Sequence, residues 1–283
     1  MTGLITPASL ASIHVYPLKG CHGLDPLASR VEPWGLAGDR RWLLVDEKNR
    51  FITQREHPAL ARIIVRHADL AGGHGLAVTT TGHPALLVAA PASGPGSSGA
   101  EMLTVTVWHS TVASAAAGPE ADTWFSAYLG KPVRLVYLDD PTRRAVDPEF
   151  GAAGDVVSFA DGYPVLLTNT GSLDQLGEWL IEAGEQPVPM NRFRPNLVVT
   201  GFGPWAEDGW RRVRIGSVTF RVAKPCGRCV VTTTDQDTGE RGRQPLKMLA
   251  QRRRFGSALV FGQNLIPDSP GEVRVGDPVE ILG

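Results

Sequence analysis

Short runs of β-branched and aromatic residues, separated by turn residues, recur along almost the whole chain. Residues 41–46 and 51–53 flank the polar tip Glu47–Arg50, a pattern that predicts a β-hairpin. Because such runs are short and closely spaced, they favour antiparallel sheets that close into barrels or sandwiches. Further predicted strands cover residues 12–16, 62–66, 75–80, 85–88, 103–108, 258–261, 272–275 and 278–282.

Helical periodicity appears in only a few places. Residues 119–129 have apolar side chains at helical spacing, and residues 245–253 could form a short basic helix with proline in its first turn. Between them, Asn169 or Thr170 could cap a helix over residues 172–183. The apolar stripe predicted for this helix consists of Leu173, Leu176, Leu180 and Ile181. The fold class predicted is mainly β with a few helices (α+β).

The chain of 283 residues is long enough for two domains. Prolines and glycines cluster between Gly130 and Gly154, which predicts a boundary there. We expect an N-terminal β-barrel-like domain over residues 1–130 and a second β-barrel domain over residues 131–283. The stretch Pro91–Gly99 has nothing apolar to bury and is predicted to be a mobile hairpin loop.

Net charge and cysteine content limit the classes of partner. The formal net charge of -1 gives no long-range field toward nucleic acid or an anionic membrane. The three cysteines favour a reducing compartment over a disulfide framework. No apolar run approaches the roughly 20 residues that span a bilayer, and the first residues lack the features of a signal peptide. We expect a cytoplasmic protein that binds neither nucleic acid nor membranes.

Cys226 and Cys229 form a CxxC motif with several possible roles. A zinc site needs two more ligands, and only Cys21 and seven histidines remain, none of them in a second CxxC or an HxxxH. A thioredoxin-like pair needs a helix N-terminus, but residues 218–222 and 230–234 on either side both resemble strands. The remaining possibilities are a thiolate ligand for a soft metal and two packed structural cysteines. Lys224 and Arg228 beside the pair would favour the thiolate.

Three short motifs place cationic side chains next to predicted strands: Tyr16–Cys21, Gly38–Trp42 and Asn191–Asn196. Arginines with neighbouring side-chain amides suit a phosphate or the edge of a pterin, where several donors must converge. Each motif alone could equally be a solvated turn.

Taken together and in this order, the motifs resemble the MOSC-domain family, in particular proteins similar to the mitochondrial amidoxime-reducing components and the bacterial YcbX-type proteins. The first part resembles a MOSC N-terminal β-barrel domain at Tyr16–Gly20 and Asp39–Trp42. The second part resembles a MOSC domain. Its motifs are Phe193–Asn196, Ala206–Trp210, Cys226–Cys229, Thr233–Gly239, Phe261–Gln263 and Val275–Pro278.

The resemblance implies a molybdenum cofactor (a molybdopterin) with Cys229 as the metal ligand and Cys226 as a neighbour. It implies that Lys19, Arg40, Arg194 and Asn196 bind the phosphate and pterin of the cofactor. It also implies an acid near the metal, Asp161, that steers protonation. The implied reaction is the two-electron reduction of N–O bonds in small N-hydroxylated compounds.

Two departures from the family pattern concern the cofactor and substrate sides. The usual Lys-Ser step is Lys19-Gly20, which removes a hydroxyl contact, and Gly162 and Tyr163 follow Asp161 where small hydroxyl residues are common. The chain has no four-cysteine cluster for a ferredoxin-like extension, so the implied electron donor is a separate protein of ferredoxin or flavin type.

Two rival functions remain at the level of sequence. The first is a carrier or sulfuration-related module that binds the cofactor without turnover. The family's association with pyridoxal phosphate belongs to sulfurases, whose MOSC domain follows a pyridoxal-phosphate domain; this chain is too short for one and has no lysine-bearing aminotransferase pattern. The second rival is a structural β-barrel whose CxxC binds zinc.

Overall fold

The computed structural model describes residues 7–70, 73–91 and 99–283. Strands dominate these ranges. Those of the first half are β1 (Ser9–Ile13), β2 (Ala28–Glu32), β3 (Gly35–Leu36), β4 (Trp42–Val45), β5 (Ile64–Leu70), β6 (Gly73–Thr79), β7 (Leu86–Ala89), β8 (Met102–Val107), β9 (Ser110–Ala116) and β10 (Arg134–Tyr137).

The strands of the second half are β11 (Val165–Asn169), β12 (Leu197–Thr200), β13 (Arg212–Ile215), β14 (Val218–Gly227), β15 (Arg254–Phe255), β16 (Ala258–Pro267), β17 (Gly271–Arg274) and β18 (Val279–Ile281). The α-helices are α1 (Pro119–Leu129), α2 (Thr170–Glu182) and α3 (Leu246–Arg252). The predicted fold class, mainly β with a few helices, is confirmed.

The largest sheet is a nearly closed barrel with the strand order β1-β12-β11-β16-β14-β13-β18. All neighbours in it are antiparallel except β11 and β12. A bridge between Ser9 and Pro278 and a 3.1 Å hydrogen bond from Val279 N to Ala8 O bring β18 beside β1. Inward side chains such as Ile13, Leu197 and Phe220 fill the barrel. Closure matters because it removes the unpaired edges that an open sheet would expose.

Two smaller sheets wrap a second core in the first half of the chain. One has the order β4-β10-β9-β8 and the other β5-β6-β7. Trp42 and Leu135 from the first sheet, Val65 and Leu76 from the second, and Phe125 from α1 are buried in one cluster. The helix therefore closes the end of an N-terminal barrel-like unit, as predicted.

The two halves of the chain share sheets. Strand β1 pairs with β12, and β2 pairs with β17 through Val31 opposite Gly271 and Ala28 opposite Arg274. The first 32 residues therefore complete structures built mainly from the second half. The domain boundary near residue 130 stays a prediction, because strand pairing crosses it.

Several local predictions are confirmed. Ile52 N donates to Leu44 O at 2.8 Å and Val45 bridges Phe51, which closes the predicted hairpin. Helix α1 has the predicted bounds, and α2 begins after Asn169, whose side chain accepts a hydrogen bond from Gly171 N. Such a cap satisfies one of the free N–H groups of the first turn.

Other predictions are wrong or lie outside the described residues. Residues 230–234 were predicted as a strand, but Val230–Thr233 form a 3-10 turn. The predicted loop Pro91–Gly99 falls mostly on residues 92–98, which the structure does not describe; its flanking strands β7 and β8 belong to different sheets. No helix in the described ranges is long and apolar enough to cross a membrane.

Helix α2 offers a test of its buried face. Leu180 is fully buried against α3 and β16, whereas Ile181, predicted for the same stripe, is 63% exposed. We expect Leu180→Ala to lower the free energy of unfolding by about 2–5 kcal/mol. Ile181→Ala should change it by less than about 0.5 kcal/mol. Urea unfolding of both variants measures this, and equal losses would contradict the packing of α2 described here.

Candidate functional site: a cationic cleft beside a cysteine pair

One solvent-open cleft, with about 940 Å³ of empty space, lies where the two halves of the chain meet. The connection between β1 and β4 contributes to the first wall together with residues 53–55 and 160–163, and β14, β16 and the loop before β12 contribute the second. All six site residues predicted from the sequence line this cleft. They are Lys19, Arg40, Asp161, Arg194, Asn196 and Cys229.

The cysteine pair lies at the end of β14. Cys226 is near the last residue of this strand, and Cys229 precedes the 3-10 turn over Val230–Thr233. The pairing of β14 with β16 is irregular between Pro225 and Gly227, which turns the chain toward the cleft. Both thiols are half-buried and neither is in a disulfide. A turn that follows a strand can present one sulfur to a ligand in the cleft.

The contacts of the pair differ from those of a zinc or thioredoxin site. In the described part of the chain, no three His, Cys, Asp or Glu side chains lie close enough to hold a metal ion together. Cys229 precedes a single 3-10 turn instead of an α-helix. Arg228 Nη1 donates to Cys226 Sγ at 2.8 Å. Cys226 thus has a hydrogen-bond donor at its sulfur, and Cys229 as the sulfur offered to a ligand stays a prediction.

Lys19 and Asp161 form an ion pair at the opposite wall. Lys19 Nζ donates to Asp161 Oδ1 at 2.5 Å and to the Phe159 carbonyl at 2.7 Å. Burial lowers the pKa of Lys19 to about 8, although the Asp161 carboxylate opposes this shift. Desolvation in the cleft alone would raise the pKa of Asp161, although its side chain is 66% exposed. The charge and hydrogen bond of Lys19 outweigh that effect and hold this pKa well below its usual range.

Arg40 and Arg194 lie beside each other and are anchored by the protein. Arg40 Nη1 donates to Asp39 Oδ2 at 2.6 Å, and Arg40 Nη2 donates to the Arg194 carbonyl at 3.2 Å. Arg194 donates to Gln236 Oε1 at 2.9 Å and to the Cys21 carbonyl at 2.7 Å. Fixed side chains lose little conformational entropy when a ligand binds.

Asn196 supports Arg40 from a buried position at the base of the cleft. It is 2% exposed. Its Oδ1 accepts from Arg40 Nη1 at 3.1 Å and from Leu166 N at 3.2 Å, and its Nδ2 donates to the His14 carbonyl at 3.1 Å. Asn196 therefore fixes Arg40 relative to β1 and β11. Direct contact of Asn196 with a ligand stays a prediction.

Sequence reasoning missed two supporting residues. Arg144 is 4% exposed, and burial lowers its pKa to about 10. Its guanidinium donates to the carbonyls of Ser158, Ala160 and Asp161, which fixes the segment that carries the acid. Trp108, in the β8–β9 turn, donates from Nε1 to Asp161 Oδ1 at 3.2 Å. Its sequence context contains no signal for this contact, because the two residues are joined only by tertiary structure.

The donor set fits a ligand that combines an anionic group with a soft metal. Each guanidinium has five N–H donors. In the described chain, three hydrogen bonds come from the Arg40 guanidinium and two from that of Arg194, so donors remain for a ligand in the cleft. A phosphate takes such donors, and a thiolate suits a soft metal ion. The residues present thus fit a metal-bearing phosphate ester.

Family profiles cover most of the chain. The profile described as "MOSC N-terminal beta barrel domain" matches residues 7–132, and that described as "MOSC domain" matches residues 154–280.

Named relatives match nearly the full length of this chain. "Mitochondrial amidoxime-reducing component 1" of Mus musculus is 31% identical over 97% of this chain and 82% of that protein. The Homo sapiens protein of the same name is 29% identical over 97% of this chain and 83% of its own length. "Molybdenum cofactor sulfurase" of Oryza sativa subsp. japonica is 28% identical over 91% of this chain but only 32% of that protein. With both profiles and these relatives spanning it, the chain belongs to the MOSC-domain family.

Proposed function

We propose that this protein is a molybdenum-cofactor-dependent oxidoreductase that reduces N–O bonds in small N-hydroxylated compounds. The observation that supports this most is the meeting of a free Cys229 thiol with Lys19, Arg40 and Arg194 in one cleft. Relatives named amidoxime-reducing components, at 29–31% identity, support the same class of reaction.

In this proposal Cys229 is the ligand to molybdenum, and Lys19, Arg40 and Arg194 bind the phosphate and pterin. Asn196 keeps Arg40 in place. The cofactor would supply the two-electron redox chemistry. The net reaction breaks the N–O bond, consumes two electrons and two protons, and releases water. Cys226 stays hydrogen-bonded to Arg228 and takes no part as a ligand.

Asp161 steers protonation near the metal, and Lys19 holds the Asp161 carboxylate in place. Asp161 stays a carboxylate, since its pKa is held low, and it therefore accepts hydrogen bonds from an N–H of the substrate. Lys19 remains an anchor of the cofactor and not a catalyst, and its ammonium holds the Asp161 carboxylate at 2.5 Å. Asp161 steers protonation through the hydrogen bonds that its fixed carboxylate accepts from the substrate.

The electrons come from a separate protein of ferredoxin or flavin type. We further propose that the protein is cytoplasmic. The cysteine content favours the cytoplasm, whereas the names of several relatives refer to mitochondria.

Metal analysis tests the ligand assignment. Protein from a host that makes the cofactor should contain close to one molybdenum per chain. Cys229→Ala should lose nearly all of it, because the only thiolate bond to the metal is gone, whereas Cys226→Ala should keep it. Zinc in place of molybdenum, or equal loss of metal in both variants, would contradict the assignment.

A carrier of the cofactor is the second candidate, because the rice sulfurase matches 91% of this chain. Turnover separates the two. With an artificial two-electron donor, the molybdenum-loaded protein should reduce benzamidoxime to benzamidine in many cycles per chain. Asp161→Asn should retain molybdenum but reduce the rate about 10- to 100-fold, since it removes the carboxylate that orients the substrate. Retention of molybdenum with no turnover in the wild type would favour the carrier.

The charge of Lys19 gives a pH-dependent prediction. Burial disfavours the charged form, so Lys19 should titrate with a midpoint of about 8 and the cleft should lose positive charge as the pH rises through that value. In Asp161→Asn the midpoint should fall further, because the carboxylate that favours the ammonium is removed. The ¹³Cε chemical shift of Lys19 reports both midpoints, with Lys19→Arg used to assign the signal. A midpoint above 10 would contradict the burial described here.

A further inference from the structure

Tyr16 contacts both arginines of the cleft, yet the function proposed above gives it no role. Arg40 Cζ lies 4.4 Å and Arg194 Cζ lies 4.2 Å from the centroid of the Tyr16 ring. Both distances are inside the range of about 6 Å in which a cation is attracted to the face of an aromatic ring. Tyr16 is only 4% exposed. Its attraction for the two cations is therefore little screened by water.

Two like charges at one ring repel each other. Burial and the nearby Arg40 charge both lower the pKa of Arg194. Burial raises the pKa of Tyr16 to about 12, so its phenol is neutral at physiological pH. The side chain thus offsets the repulsion through the negative face of its ring and not through a phenolate.

The ring is fixed by its surroundings. Tyr16 N donates to Asp39 Oδ1 at 2.8 Å, and Arg40 N donates to the Tyr16 carbonyl at 2.8 Å. Gly23 packs so closely that a Cβ added there would lie 2.6 Å from Cε1 of the ring. Since the glycine leaves room for the ring and the backbone bonds fix its Cα, Tyr16 is held against the two guanidiniums.

Arg40 and Arg194 both have a backbone conformation that is uncommon for residues other than glycine. Arg40 has φ of 46° and Arg194 has φ of 52°, in the left-handed region that residues other than glycine seldom adopt. Such conformations persist where the surroundings determine them strongly. Both turns therefore direct their side chains to one place, at the cost of local backbone energy.

We propose that Tyr16 is a positioning residue, whose ring holds Arg40 and Arg194 as a preassembled pair that binds a doubly charged phosphate group. The inference rests on the proposed function, because the phosphate in question is that of the cofactor. The ring offsets the repulsion between the cations before the anion arrives, so less of the binding energy is spent on bringing them together.

The test compares variants of the full-length chain that differ in the ring. Tyr16→Phe keeps the aromatic face, whereas Tyr16→Leu and Tyr16→Met remove it with different side-chain volumes. Tyr137→Leu is the matched control: Arg41 Cζ lies 5.0 Å from the Tyr137 ring, and neither residue lines the cleft. Calorimetric titration with inorganic phosphate is carried out on cofactor-free protein. Molybdenum content is measured separately on protein from a host that makes the cofactor.

Wild type and Tyr16→Phe should bind phosphate within about twofold of each other, and Tyr16→Leu and Tyr16→Met about tenfold more weakly. The same two variants should retain less molybdenum, and Tyr137→Leu should match the wild type in both measurements. Circular dichroism and melting curves identify any variant that fails to fold. If Tyr16→Leu is such a variant, Tyr16→Met or Gly23→Ala, which displaces the ring, takes its place.

Two results would overturn the inference: wild-type affinity for phosphate in folded variants without the ring, or equal loss in Tyr16→Phe, which would assign the effect to the hydroxyl group. A wild type that does not bind phosphate at millimolar concentration would also overturn it. Failure of the proposed function has a different signature, namely wild-type protein without molybdenum while the pattern of phosphate affinities persists.

Discussion

The burial of several cations around one cleft is the constraint on which the site depends. Lys19 and Arg144 are less than 10% exposed. Among the described residues, only the carboxylates of Asp39 and Asp161 bond directly to the cluster of Lys19, Arg40, Arg144 and Arg194. Desolvation of a charge is costly unless hydrogen bonds and opposite charges offset it. Here hydrogen bonds to backbone carbonyls offset much of the cost of desolvating the cations. Those of Phe159 and Ala160 face Lys19 and Arg144, and that of Arg194 faces Arg40. The cleft therefore carries more positive than negative charge, which favours an anionic ligand.

Both halves of the chain contribute residues to this cleft, so it forms only when they pack against each other. Lys19 and Arg40 follow β1 and precede β4, whereas Arg194 and Cys229 come from the segments before β12 and after β14. The pairing of β1 with β12 fixes the two sets relative to each other. Asn196 adds a side-chain link across the same junction. Loss of β1 would therefore disturb the cleft as well as the closure of the barrel.

Much of the secondary structure and most of the site residues were predictable from the sequence, but the contacts between these residues were not. Hairpin, helix and cap signals are local, so residues 41–53, α1 and the Asn169 cap were predicted correctly. The residues of the cleft were identified by family motifs and not by spacing. The turn after Cys229 was missed because Val230–Thr233 are β-branched. Hydrogen bonds from Thr232 N and Thr232 Oγ1 to the Cys229 carbonyl override that preference. The contacts of Tyr16 and Arg144 join distant segments, which no local pattern encodes.

The most direct test of the central claim is a crystal structure of the cofactor-loaded protein, with diffraction data collected at the molybdenum absorption edge. The account predicts one anomalous peak within bonding distance of Cys229 Sγ, with phosphate density against Arg40 and Arg194. A peak bonded to Cys226 Sγ, or molybdenum bound away from this cleft, would contradict it.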